Sequence, residues 1–264
     1  MAAVPDKPKT AAPAGRIAFP LELLSPILLL LAWQLLAMIF PARLFPTPIE
    51  VAEQLWKVTF NGKLLPDMGK TLGRAAIAFF VSMGIGIALG ILFGRVRAVD
   101  RLFSTWVLVG LNLPAVVIAI VLYIWLGLTE FALILAVIVN KVPLVITTIR
   151  EGVRSFASEF DELARAFRMP LARRLRLIFV PQLAPYVFAA ARTGLSLIWK
   201  IVLVFEVIGS DGGVGFRIST MFQFFDIKGI LAYTTAFILV VIVFEYWIMR
   251  PLEHPVLRWR TDLA

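Results

Sequence analysis

Long apolar runs alternate with short charged breaks along this chain. Six runs, at 20–40, 70–94, 103–126, 130–149, 184–208 and 229–250, reach the length a bilayer-spanning helix needs. They are too long for barrel strands and lack the period-two alternation such strands show. The pattern therefore predicts an all-α integral membrane protein with about six transmembrane helices. Two finer patterns sit on this frame. In "GIGIALGILFG", Gly86, Gly90 and Gly94 recur every four residues, a small-residue face that lets another helix of the chain approach closely; a seam between two copies is the alternative. In "TPIE", Thr47 stands three residues before Glu50 with Pro48 between, which predicts a capping box opening a short surface helix.

Composition agrees with the membrane reading. Of 264 residues, 60% are hydrophobic and 16% charged, with a mean hydropathy of +0.90; soluble domains are about a quarter charged. There is no cysteine, and the one histidine is His254, which removes disulfides, thiol catalysis and a His/Cys metal site. The net charge of +9 flanks apolar runs, so it reads as a topology signal and not as a nucleic-acid surface. Sixteen Lys and Arg fall in 1–19, 94–101, 150–182 and the C-terminal stretch, against six in the alternate loops. Positive residues collect on the cytoplasmic side, so both termini and the 150–182 segment are expected there. Residues 1–19 read as a mobile cytoplasmic tail, 20–250 as the membrane domain and 251–264 as a second cytoplasmic tail. The first apolar run reads as an uncleaved span, because no small-x-small cleavage site follows it.

The 150–182 segment is the anomaly. Ser158 is placed to cap a helix whose first turn holds Glu159, Asp161 and Glu162. Leu163, Ala166 and Phe167 give it an apolar face, Pro170 ends it, and a second helix begins with Arg173, Arg174 and Arg176. A lipid-surface element, a solvated linker and a docking surface are the three readings. Acidic residues in the first turn weigh against the first, and the apolar ridge weighs against the second.

The same segment resembles the cytoplasmic EAA motif of permease subunits in binding-protein-dependent ABC importers: Glu-Ala-Ala, three residues, Gly, nine residues, Ile, one residue, Leu-Pro. Glu162, Ala164, Ile178 and Pro181 fall in register. The departures are Leu163 for Ala, Arg168 for Gly and Val180 for Leu; the turn that Gly would make is expected at Met169–Pro170 instead. "FPTPIEV", "TLGRAAIAF", "NKVP" and "VPQLAPYVFAAARTGLSLIWKIVLVFEVIG" extend the likeness over nearly the whole chain, to the nitrate/sulfonate/taurine-type branch. The resemblance implies a type I importer permease of the bacterial inner membrane. It further implies that Glu162, Leu163, Ala164, Ala166, Phe167, Arg168, Pro170, Ile178 and Pro181 dock on a separate pair of ATPase subunits, where ATP and Mg would bind. An external substrate-binding protein and a second permease copy, the same chain or a different one, would complete the complex. This chain itself is not expected to be an enzyme.

Polar residues inside apolar spans are functional candidates. Asn112, Asn140 and Lys141 lie in the third and fourth spans; Arg192, Ser196 and Lys200 recur every four residues in the fifth. Asn112, Asn140, Lys141, Ser196 and Lys200 form the candidate path for a small anionic solute. The bland reading pairs Lys141 and Lys200 with Glu206 or Glu130, and lets Arg192 reach the interface. Glu245 shows no partner pattern. "GSDGGVGF" at 209–216 lacks the Gly-Lys-Ser/Thr ending of a phosphate loop and reads as a flexible external turn where the binding protein docks. The rival function is an ion-gradient-driven secondary transporter or channel, which would call for matched broken helices in two halves.

Overall fold

A computed structural model describes residues 21–40, 45–156, 162, 164, 166–249 and 251. Among them every regular element is helical. The described residues fall into two compact units, one up to Glu50 and the other from Val51. In the first unit, α1 (Leu21–Ile39) is apolar and carries Pro26. Trp33 Nε1 donates to the Pro46 carbonyl at 3.0 Å, which holds the chain following α1. The capping box forms as the spacing predicts: Thr47 N donates to Glu50 Oε2 at 3.0 Å, and Glu50 N to Thr47 Oγ1 at 3.2 Å. It opens α2 (Pro48–Phe60).

The second unit is built on α3 (Leu64–Arg95), α4 (Arg97–Asn112), α5 (Ala115–Leu126) and α6 (Glu130–Arg154). They are followed by α7 (Leu171–Ile208), α8 (Val214–Gln223) and α9 (Ile227–Met249). Four helices, α3, α6, α7 and α9, are each long and apolar enough to cross a membrane. The expected count of about six spans is not confirmed among the described residues. The run 103–126 breaks into α4 and α5, bent by 97°. Pro114 caps α5 and pushes Leu113 into an extended conformation (ψ 126°), so the helix cannot continue through it. Hydropathy sees an unbroken apolar stretch there; the backbone does not. Counting the bent pair as one span gives five among the described residues.

The α3–α6 seam is the centre of the fold. A Cβ on Gly90 would stand 2.7 Å from Ile149 Cβ, and one on Gly94 2.6 Å from Val153 Cβ; Gly86 meets Val145 in the same way. The Gly86–Gly90–Gly94 face thus packs inside the chain, with valine and isoleucine of α6 filling the notch each glycine leaves. On its other flank α6 packs on α7, where Gly152 accepts the ring of Tyr186. Trp199 of α7 meets Phe237 and Phe244 of α9 edge-on, at 6.2 and 5.7 Å between centroids.

Candidate translocation path and coupling segment

Two ionic clusters hold opposite ends of the second unit. At the end carrying the 209–216 loop, Glu206 of α7 and Arg74 of α3 are both almost fully buried. Arg74 Nη1 donates to Glu206 Oε1 at 2.9 Å and to the Gly212 carbonyl at 2.6 Å. Its Nη2 donates to Glu130 Oε1 at 2.7 Å and Asp211 Oδ1 at 2.9 Å. Glu206 also accepts from Thr71 Oγ1 and from Gly215 N, both at 2.9 Å. A buried carboxylate survives only when its lone pairs are filled, and here three donors from α3 and α8 fill them. Beside it, Asp67 accepts from Arg217 Nε at 2.6 Å and from the Tyr233 hydroxyl at 3.3 Å, which ties α3 to α8 and α9.

This cluster corrects two sequence expectations. Glu206 and Glu130 pair with Arg74, not with Lys141 or Lys200. The 209–216 stretch is no loose turn: Gly212, Gly213, Val214 and Gly215 are buried. Gly213 has φ 100°, and a Cβ there would stand 2.5 Å from the Glu206 carboxyl carbon. Glycine is needed so that the backbone can wrap the carboxylate. The signal available in sequence was Glu206 itself, an acid inside an apolar run that had to find donors, one of which, Gly215 N, lies nine residues on.

At the basic end, Asp100 at the start of α4 accepts from Arg150 Nη1 at 3.1 Å and from Arg154 Nη2 at 2.5 Å, joining α4 to the end of α6. Asp100 lies in the 94–101 segment outside the predicted spans. Burial works to raise its carboxyl pKa, but the hydrogen bonds from Arg154 and Arg150 outweigh burial and hold it below the ordinary carboxylate value.

Between the two clusters lie the candidate path residues. Lys141 is 1% exposed, and its Nζ has no hydrogen-bond partner. Its side chain lies against Gly194 of α7, where a Cβ would come within 2.9 Å of Lys141 Cε. Asn140 beside it is half-buried. Ser196 and Lys200 line a groove of about 570 Å³ between α7 and α9, walled by Trp199 and Phe237. Lys200 is exposed in this chain and has no ion-pair partner among the described residues. Arg192 lines the same groove and pairs with Glu245 at 3.0 Å, which gives Glu245 the partner its sequence context did not reveal. Asn112 stands apart: it is exposed at the α4–α5 break, and its amide donates to the Leu108 carbonyl of its own helix at 2.8 Å.

In the candidate coupling segment, Glu162, Ala164 and Ala166 are helical. Leu163, with Ser158, Glu159 and Asp161, lies outside the described residues. Ala164 and Ile178 are buried, whereas Glu162, Ala166, Pro170 and the Phe167 ring (71%) are exposed; Pro181 is half-buried. The turn is made at Arg168, which has φ 46°, and not at Met169–Pro170 as expected. Met169 N donates to the Ala164 carbonyl at 2.9 Å, the six-to-one bond of a left-handed helix stop. Arg168 thus takes the conformation that glycine takes most cheaply, in the position where the motif has glycine.

The chain is similar to several characterised and solved proteins. It is 25% identical to a putative aliphatic sulfonates transport permease protein of Bacillus subtilis, over 91% of this chain and 87% of that one. It is 27% identical to a nitrate import permease protein of Synechocystis, over 80% of this chain and 76% of that one. A chain of an amino acid ABC transporter crystal structure superposes with a TM-score of 0.60, covering 76% of this chain and 97% of its own length at 16% identity. An inward-facing methionine ABC transporter gives 0.59 over 73% and 94%, at 17% identity. These two likenesses show the fold. Residues 82–252 match the family described as binding-protein-dependent transport system inner membrane component; the chain belongs to that family, as a permease subunit of an ABC importer.

Proposed function

We propose that this permease forms the path for a small anionic solute, of the kind that its sulfonate and nitrate relatives are named for. The observation that carries this reading is a contrast in charge pairing. Arg74, Glu206, Arg192 and Glu245 are all ion-paired, while Lys141 and Lys200 have no acidic partner among the described residues. An unpaired ammonium at membrane depth is costly and is retained where it meets a mobile anion. Transport is driven by ATP hydrolysis in a separate pair of subunits docked on 158–181, with both termini and that segment on the cytoplasmic side. The exposed Phe167 ring and the buried Ala164 and Ile178 support this docking: one apolar group is offered outward from a turn anchored inward. A substrate-binding protein acts on the opposite face, and a second copy of the chain completes the path.

The test is uptake by the reconstituted complex of permease, ATPase and binding protein. Lys200→Met and Lys141→Met are expected to lower uptake of an alkanesulfonate or nitrate about tenfold or more while the ATPase stays bound. Phe167→Asp is expected to release the ATPase. Anion uptake undiminished in both lysine variants would refute the anionic path, and an ATPase that stays coupled to Phe167→Asp would refute the docking site.

A further inference from the structure

A cavity of about 840 Å³ opens at the α3–α4 junction, lined by Gly94, Arg95, Arg97, Asp100, Arg101 and Arg154. Its charge does not balance. Asp100 is the one acid in the lining, and its two oxygens are taken by Arg150 and Arg154. Arg95, Arg97 and Arg101 are exposed and have no carboxylate partner among the described residues. Arg95 is held in place, with its guanidinium carbon 4.6 Å from the Phe179 ring centroid. Three guanidiniums around one opening present many N–H donors in planar forks, the geometry that suits phosphate oxygens.

The surface beside the opening is apolar. Leu92 and Val96 are 42% and 40% exposed, and Leu102 and Trp106, one turn apart on α4, are 69% and 70% exposed. Phe103 stacks on the buried Phe93 at 5.9 Å and fixes this flank. A phosphate-binding opening continuous with an exposed apolar strip matches a molecule with an anionic head and hydrocarbon tails. In a bilayer the strip meets hydrocarbon, so a headgroup joined to acyl chains fills opening and strip together, whereas a free phosphate, a nucleotide or an acidic protein surface would use the opening alone. We propose that Arg95, Arg97 and Arg101 bind the phosphate headgroup of one anionic phospholipid, whose acyl chains lie along Leu92, Val96, Leu102 and Trp106. The site is separate from the solute path and the coupling turn, and it does not rest on the reading proposed for them.

The purified importer complex is placed in nanodiscs of phosphatidylcholine with phosphatidylglycerol, transferred to detergent, and its retained lipid is read by native mass spectrometry. The parent is expected to keep phosphatidylglycerol with at least about tenfold preference, since each basic group near the headgroup contributes roughly a kcal/mol. R95Q/R97Q/R101Q loses that preference, while the charge-matched K57Q/K63Q/K228Q, outside the cavity lining and the docking segment, keeps it. R97Q/R101Q, which leaves the Arg95–Phe179 contact intact, loses most of the preference and guards against a folding defect. Equal retention by parent and R97Q/R101Q would overturn the proposal. So would displacement of the lipid by inorganic phosphate at matched concentration, which would mark a free-anion site. Loss of the ATPase subunits from R97Q/R101Q with lipid retained would assign the patch to a protein partner and overturn it equally.

Discussion

Replacing Arg74 by methionine tests how the end of the bundle that carries the 209–216 loop is held. Arg74 serves three carboxylates, but they differ in what they stand to lose. The Glu206 side chain is 0% exposed, whereas those of Glu130 and Asp211 are 56% and 69% exposed. Water covers the exposed pair when the guanidinium goes, so each is worth no more than about 1 kcal/mol. Glu206 keeps its bonds from Thr71 and Gly215 but becomes an uncompensated buried charge, and breaking such a pair costs about 3–5 kcal/mol. Arg74→Met is therefore expected to lose about 3–5 kcal/mol, while Glu130→Gln and Asp211→Asn lose under about 1 kcal/mol each. The double variant Arg74→Met/Glu206→Met removes both charges and is expected to recover about 2 kcal/mol or more of the summed loss. The assay is reversible unfolding by SDS titration in mixed micelles, applied to these four variants and to Glu206→Met alone, which closes the cycle. An Arg74→Met variant within about 1 kcal/mol of the parent would refute the assignment. Strictly additive losses in the double variant would refute the pairing.

Gly90→Leu is expected to cost about 1–3 kcal/mol in the same assay, because its Cβ meets Ile149 at 2.7 Å and the Ile146 carbonyl at 3.0 Å. Gly69→Ala, on the open face of α3 with nothing within 4 Å, is expected to be neutral or to gain a few tenths of a kcal/mol. Arg168→Gly is expected to relieve about 1 kcal/mol of left-handed strain and to slow limited proteolysis in the 155–170 connection; faster cleavage would contradict the turn geometry. For Asp100, whose folded pKa is depressed, the stabilisation is present above its ordinary value of 3.8 and is lost as pH falls through the lower folded value. The melting difference between the parent and Asp100→Asn should accordingly be full at neutral pH and close in strong acid. A difference that does not change with pH would refute it.

What was legible in the sequence was what short-range spacing fixes. The Thr47–Glu50 box and the Gly86–Gly90–Gly94 face each depend on neighbours within one helical turn, and both formed as written. The helical class followed from run length alone. What failed depended on distance or on a single backbone atom. Arg74 and Glu206 are 132 positions apart, so no pattern along the chain joins them. Lacking that pairing, a reader assigns Glu206 to the nearest unpaired lysines and leaves the glycine loop idle. Pro114 removes one N–H from an apolar run and turns it by 97°, an event invisible to any average over side chains. Arg168 was read from its residue type as unable to make the turn. The six-to-one bond from Met169 N to the Ala164 carbonyl fixes the left-handed stop at that position regardless.

The Arg74–Glu206 cluster and the turn at Arg168 are connected by one element. Helix α7 has 38 residues, about 57 Å at the usual rise, and it runs from just beyond the Arg168 turn to Glu206. Near its start the backbone loosens to a π-helical segment at Leu175–Phe179, and Pro185 lies inside it ten residues further on. Beyond Pro185 the helix is locked: Gly194 receives Lys141, and Glu206 takes Arg74. A displacement of the turn would be taken up first at 175–185, where intrahelical bonding is weakest. The segment from Gly194 to Glu206 is packed against α6 and bonded to α3. The unpaired Lys141 is buried in that packing, so a displacement that carries the three helices together leaves its surroundings as they are, while the exposed Lys200 would face new neighbours. The paired charges hold the three helices together, and Lys200 is an unpaired charge on their surface.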